Sequence, residues 1–170
     1  HCYIDDIQIP HSWFSVENYN NKLYVQLFNQ ATNSSDHYFV IALTPQNHTG
    51  ITIANNLQEM LVLYFPTYGF TCNYSTSKGN ITINSTNNEL FRFLSDLEMR
   101  ELSPSTVFIN NFGTVLQINK NDLQSANSII RHTNTSAFAV SFQTQFIDLL
   151  NIHSVFIHSP NIGSFQTLGV

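Results

Sequence analysis

Two histidines and one acidic pair are the residues in this sequence whose types and spacing could do chemistry. His153 and His158 flank an apolar run, five residues apart. Successive side chains of a strand point to opposite faces, so this odd spacing separates the two imidazoles and prevents them from sharing a metal ion. Asp5 and Asp6 are adjacent, so they diverge in the same way and cannot act together as acid and base. The sequence therefore predicts no catalytic residue, no metal site and no cofactor.

An aromatic cluster near the N-terminus is a further candidate for ligand binding. Its members are Trp13, Phe14, Tyr19 and Tyr24. These rings could form a platform for a sugar, but a tryptophan that plugs one end of a β-sandwich is the favoured interpretation, since aromatic side chains fill such cores. His37 and His132 are expected in solvated loops. The sequence has no glycine-rich phosphate loop, Gly-x-Ser-x-Gly elbow, His-Glu-x-x-His pair or Cys-x-x-Cys pair, so no enzyme is expected.

The 170-residue chain is poor in charge. Charged residues make up 10%, against about 25% in an ordinary soluble domain, and asparagine, serine, threonine and glutamine supply the polar surface. Such side chains can be buried against a partner without the desolvation cost of an ion. The composition favours a protein with much surface in contact with copies or partners. A nucleotide bias toward Asn, Ile and Phe codons explains it equally well.

Charge and hydropathy argue against two kinds of partner for this segment. The net charge is −5, and the basic residues are scattered along the chain. Nucleic-acid binding needs a basic surface that neutralises phosphates, so direct genome binding is not expected. The longest apolar run, residues 60–65, is far shorter than the roughly 18 residues that cross a bilayer, so no membrane span is expected.

Cysteines and glycosylation signals bear on the compartment. Cys2 and Cys72 could form one bridge, but two cysteines do not make a disulfide scaffold, and reduced, buried thiols are expected. Six Asn-x-Ser/Thr sequons would suit a secreted glycoprotein, although most are expected by chance in a chain this rich in Asn, Ser and Thr. They begin at Asn33, Asn47, Asn73, Asn80, Asn84 and Asn134.

Alternating apolar and polar residues predict many short strands bounded by turn residues. The predicted strands are residues 3–9, 22–29, 38–44, 70–75, 80–85, 89–94, 107–110, 115–119, 138–146 and 152–158. Residues 70–75 and 80–85 form a hairpin, and residues 138–146 pair with residues 152–158, a mostly buried strand in the middle of the sandwich. A polar loop is expected at residues 30–36, and the stretch 103–122, which holds the two short strands 107–110 and 115–119, is expected to form a second loop region.

Helical periodicity is confined to a few places. Ile53, Leu57, Leu61 and Tyr64 share one stripe, with Asn55, Asn56, Gln58 and Glu59 facing outward, which predicts an amphipathic helix after Thr49-Gly50. Ser95 and Glu98 have capping-box spacing, which predicts a short helical turn through Leu102. Asn121 or Asp122 is expected to cap a brief helix through Ile130.

Strands at about ten-residue spacing with one substantial helix indicate a single all-β sandwich domain over residues 1–170.

The order of several segments resembles the major capsid (hexon-like) proteins of Polinton/Maverick elements and related viruses, along nearly the whole chain. The segments are Ile7-Gln8-Ile9-Pro10-His11-Ser12-Trp13-Phe14-Ser15-Val16, Asn20-Asn21-Lys22-Leu23-Tyr24, Asn47-His48-Thr49-Gly50-Ile51-Thr52-Ile53-Ala54, Gly79-Asn80-Ile81-Thr82-Ile83 and Val155-Phe156-Ile157-His158-Ser159-Pro160-Asn161-Ile162-Gly163. Each motif alone is moderately specific. Five in the same order are hard to obtain by chance.

The resemblance implies an antiparallel jelly-roll sandwich and a structural role in a virion. Proteins of that family carry two consecutive jelly rolls per chain, and three chains form a pseudo-hexagonal capsomer beside penton proteins. This sequence holds about one jelly roll, so it is expected to be the first roll of a longer protein or a single-jelly-roll, penton-type relative. The resemblance supplies no catalytic residue. Residues 30–36 and 103–122 are expected to form contacts between subunits.

A second hypothesis is a secreted or surface β-sandwich that binds glycans or proteins. It predicts occupied sequons, a disulfide between Cys2 and Cys72, and a monomer with an exposed aromatic patch. The capsid hypothesis predicts free thiols, unmodified asparagines and self-association.

Overall fold

The structure is a computed structural model that describes residues 14–30, 32–87, 89–110, 113–119, 124–130, 137–149, 154–158 and 165–169. For residues 35–37, 128, 154–158 and 165–169 it describes the backbone. The predicted first strand, Trp13, Cys2, Asp5-Asp6, His132 and His153 lie outside the described residues. The described part is mostly β-sheet with two α-helices, which is compatible with a β-sandwich.

The larger sheet has five strands in the order β5-β1-β2-β6-β7. The strands are β1 (Lys22–Asn29), β2 (Ser34–Ala42), β5 (Leu90–Phe93), β6 (Ser105–Ile109) and β7 (Val115–Asn119). The predicted strand positions are confirmed, except that β2 begins four residues earlier than its alternation indicated. β2 and β6 run parallel, with Tyr38 opposite Phe108, so the expectation of an entirely antiparallel fold was wrong.

A second sheet has the order β3-β4-β8, formed by β3 (Phe70–Ser75), β4 (Asn80–Ser85) and β8 (Ser141–Gln143). The predicted β3–β4 hairpin is confirmed, with Gly79 at φ 65° in its turn. The predicted partner of the 138–146 strand was wrong. β8 pairs with β4, while β9 (Ser154–His158) pairs with β10 (Phe165–Gly169) in a separate two-stranded sheet, so among the described strands β9 is not the middle of a sandwich.

Helix α1 (Gly50–Tyr64) covers the β3 side of the second sheet. It begins with a capping box in which the Thr49 hydroxyl accepts from the Thr52 amide. Ile53, Leu57 and Leu61 are buried as predicted, but Asn56 is buried as well. The Asn56 side chain accepts from the Thr44 amide at 2.8 Å and donates to the Thr44 hydroxyl at 3.0 Å. A satisfied hydrogen-bond pair therefore overrides the outward position that the periodicity indicated.

Helix α2 (Asp96–Glu101) lies after β5 and begins with the predicted capping box of Ser95 and Glu98. The brief helix predicted before Ile130 is a 3₁₀ turn, Ala126–Ser128, capped by Ser125; the predicted caps Asn121 and Asp122 lie outside the described residues. The Ser125 hydroxyl accepts from the Asn127 amide at 3.0 Å and so caps this turn.

Apolar side chains lie on both faces of the larger sheet. Leu23, Val25 and Leu27 of β1 belong to the main core, together with residues of α1, β3 and β4. Tyr24, on the opposite face, packs with Phe108 and Met99 in a second cluster that includes α2. The larger sheet is therefore buried on both sides of β1, rather than having one solvated face.

Candidate functional site

The structure brings no set of predicted chemical residues together. Among the described residues, no group of three or more His, Cys, Asp or Glu side chains could hold a metal ion. The backbone of His37 lies in β2 and not in the predicted loop. His48 is buried, and its Nε2 lies 2.8 Å from the carbonyl oxygen of Thr44. This histidine links two loop segments and faces no reactive group that the structure describes.

The aromatic platform does not form as one surface. Phe14 and Tyr19 are exposed, but Tyr24 is buried in the second cluster, where its ring centroid lies 4.8 Å from that of Phe108. Trp13 lies outside the described residues. The alternation of β1 explains the separation, because Tyr24 follows Leu23 and so must point to the other face of the sheet.

The two segments predicted to contact neighbouring subunits have regular structure. The described residues 30, 32 and 33 lie in turns, with Asn33 at φ 50°, and β2 begins at Ser34. Residues 105–119 are largely the β6–β7 hairpin, which turns at Gly113 with φ 71°. Residues 34–36 were wrongly predicted as part of a loop, because strand patterns of polar residues are weak, whereas the short strands predicted at residues 107–110 and 115–119 are confirmed. The hairpin is the better candidate site, since it forms one side of the larger sheet.

The hairpin carries an exposed face, which we call the edge face. Directly opposed pairs in register build it: Ile109 with Val115, Val107 with Gln117, and Ser105 with Asn119. Val115 is 64% exposed and Val107 is 45% exposed. The Gln117 side chain donates to the Ser105 hydroxyl at 2.7 Å, which holds the polar end of the face in place.

Phe108 anchors the hairpin from its other face. This side chain is 1% exposed and packs against Tyr24 and against Tyr38, whose ring centroid lies 5.8 Å away. Leu116, directly opposite Phe108 on β7, is half-buried. A rigid aromatic contact therefore positions the edge face, although the face itself is exposed.

The outer edge of β7 differs from the edges formed by β5 and β3. β5 is continued by Ala139, which exchanges two backbone hydrogen bonds of 3.0 Å with Phe91. On β3, the amide of Cys72 donates to the Gln58 side chain of α1 at 2.8 Å. No described strand pairs with the outer edge of β7. The sequence has no charged residue between Glu101 and Lys120, so the usual charged protection of an exposed edge is missing within β7.

A polar network joins β1, β5 and α2 on the opposite side of the larger sheet. Arg92 donates to the Gln26 side chain at 2.9 Å and to Glu98 at 2.7 Å, and its guanidinium lies 5.2 Å from the centre of the Phe138 ring. Glu98 also accepts from the Ser95 amide at 2.9 Å. Arg92 and Glu98 are 15% and 17% exposed. The network is satisfied within the chain, and it fastens α2 to the sheet.

We expect Arg92→Met to lower the free energy of unfolding by about 2–4 kcal/mol, because it removes the charged donor to Glu98 Oε1 and to the Gln26 side chain, while Glu98 keeps its bond from the Ser95 amide. Glu98→Gln should cost less, since the amide still accepts from Arg92. The measurement is urea unfolding of both variants and the double variant. A double variant whose loss equals the sum of the two single losses would contradict a coupled network.

The sequence signal for the edge face was present but incomplete. An uncharged, alternating run from Ser105 to Asn119 was visible, whereas its position at a free sheet edge depends on the non-local pairing of β2 with β6.

None of the described helices is both long and apolar enough to cross a membrane. No protein-family model, no curated protein and no solved structure matches the chain.

Proposed function

We propose that the chain is a structural subunit of a viral shell, a major capsid protein of the hexon-like kind that associates with copies of itself into capsomers of an icosahedral capsid in the virion. The observation that carries the proposal is the edge face: an uncharged, partly apolar β-hairpin at a sheet edge that no described strand covers. An edge of this kind pairs readily with another chain. A protein whose task is self-assembly puts that property to use.

The composition of the surface supports the same function. Exposed large hydrophobic side chains occur at several places besides the edge face, including Ile51 and Leu63 on α1 and Leu97 on α2. Capsid subunits bury large areas against copies arranged by closed symmetry, and uncharged surface is cheaper to desolvate than charged surface. The resemblance to hexon-like sequences indicates which class of capsid protein this is. It implies trimeric, pseudo-hexagonal capsomers that adjoin penton subunits.

The jelly-roll topology belongs to this proposal. Two sheets that enclose the main core, with α1 over one of them, are the layers that a jelly roll requires. The parallel pairing of β2 and β6 departs from the antiparallel pattern. Under the proposal, β6 and β7 are an addition to the side of the roll that serves contact between subunits.

One detail of β4 favours the capsid over a secreted glycoprotein. Asn84, a sequon residue, is half-buried on the central strand of its sheet, and its side-chain oxygen accepts from the Ser141 hydroxyl at 2.6 Å. A glycan on the side-chain nitrogen of Asn84 would disturb the β4–β8 pairing. A monomeric, glycosylated product would instead indicate a secreted binding module.

Light scattering of the full-length protein across a concentration series tests the proposal. We expect a trimer or a larger closed assembly. Val115→Lys should weaken self-association about 30-fold or more, because it places a charge in the contact. Val140→Lys, at an exposed valine outside the edge face and the helices, is the matched control and should leave the assembly intact. A wild-type protein that stays monomeric at high concentration would rule out the capsid function.

A further inference from the structure

The backbone of β7 offers a defined set of hydrogen-bonding groups to its outer side. In the turn of the hairpin, the amide of Asn110 donates to the carbonyl oxygen of Thr114 at 2.9 Å. Partner-facing and outward-facing residues alternate along an antiparallel pair, so Leu116 faces β6 in the same way as Thr114. The N–H and C=O groups of Val115 and Gln117 therefore point away from β6.

A second copy of this chain is the partner that fits this edge best. The chain carries a net charge of −5, so two copies repel each other over most approaches, and the uncharged hairpin is a place where they can meet without that cost. A strand edge is also self-complementary. A twofold axis places the outward N–H groups of one copy opposite the outward C=O groups of the other, and the reverse. The exposed Val115 side chain is partly covered by the other copy in the same step.

We infer that β7 pairs antiparallel with β7 of a second copy about a twofold axis at Leu116. In this register Val115 lies opposite Gln117 of the other copy, and each such pair exchanges both of its backbone hydrogen bonds. The two Leu116 side chains meet across the axis. The larger sheet of one copy thereby continues into that of the other. This inference rests on the proposed self-assembly and specifies one of its contacts, the twofold contact that joins two copies; the threefold contacts of a capsomer are formed by other surfaces.

Cysteine crosslinking of the full-length protein in a Cys2→Ser background tests the register. Two residues directly opposed in a pair that is not hydrogen-bonded have Cα atoms about 4.5 Å apart, which is within disulfide range. We expect Leu116→Cys to form a dimer under mild oxidation. Gln117→Cys is the matched control; its two copies lie diagonally, roughly 7–8 Å apart, and should not crosslink with each other. A mixture of Val115→Cys and Gln117→Cys proteins should crosslink, which provides a readout that leaves Leu116 unchanged.

The outcomes separate this inference from the proposed function. An assembly by light scattering in which Leu116→Cys and the mixture do not crosslink, or in which Gln117→Cys crosslinks with itself, would overturn the register and leave self-assembly standing. A monomer in which the amides of Val115 and Gln117 exchange slowly with deuterium would show that the chain covers its own edge, and would overturn the inference. A monomer in which the amides of Val115 and Gln117 exchange rapidly would overturn both the β7 contact and the proposed capsid function.

Discussion

Phe91→Ala should lower the free energy of unfolding by about 3–5 kcal/mol. Phe91 is 0% exposed, and its ring packs edge-on against Phe70 at 4.8 Å and against Phe142 at 5.0 Å between centroids. Phe70 and Phe142 belong to the second, three-stranded sheet, whereas Phe91 belongs to the larger one. Alanine would leave a cavity between the two sheets, where the fixed backbone prevents collapse.

Chemical unfolding followed by circular dichroism measures this loss at a fixed protein concentration, since self-association adds to the apparent stability. Phe146→Ala is the matched control because Phe146 is 68% exposed, and it should cost less than about 1 kcal/mol. Equal losses for the two variants would mean that Phe91 does not join the sheets.

Stability should fall steeply at alkaline pH. Burial raises the pKa of the Cys72 thiol from its ordinary 9.0 to about 12, and burial raises the pKa of Tyr24 from 10.0 to about 12. Both groups are neutral when protonated, so the unfolded chain releases these protons at lower pH than the folded protein. Their protonated forms favour folding fully below pH 9. That advantage declines between pH 9 and 12, by up to about 1.4 kcal/mol per pH unit for each group.

Urea unfolding at several values between pH 8 and 11 measures this slope. Cys72→Ala should flatten it from pH 9 upward, and Tyr24→Phe should flatten it from pH 10 upward, because each variant removes one ionising group. Tyr19→Phe is the control, since Tyr19 is 58% exposed. A slope that both buried variants leave unchanged would contradict the burial of these groups.

Local signals predicted the local elements well. The capping box of Ser95 and Glu98, the apolar stripe of α1 and the β3–β4 hairpin each depend on residues within one or two turns of chain, and the structure confirms all three. The position of His37 was missed because residues 34–36 are polar. A strand beside another strand tolerates such residues where one face meets solvent.

Pairings between distant segments could not be predicted. The alternation of residues 138–146 indicated a strand but carried no information about its partner. The strand β8 pairs with β4 and not with β9, the predicted partner. The parallel β2–β6 contact was equally invisible, since strands that meet through long connections leave no mark of their pairing in either sequence. The candidate site shares this limit: its residues were within the predicted contact segment, but its nature as a sheet edge is a property of the assembled fold.

The segment after residue 137 has a mechanical consequence. Ala139 hydrogen-bonds to Phe91 of the larger sheet, and two residues later the same stretch enters β8, where Ser141 lies opposite Asn84 of the second, three-stranded sheet. A force that slides one sheet over the other therefore loads backbone hydrogen bonds along this strip, in addition to the apolar contacts between the layers. The two sheets therefore deform together. In the proposed capsid, a subunit built in this way would pass tension from one neighbour to the next without opening its core.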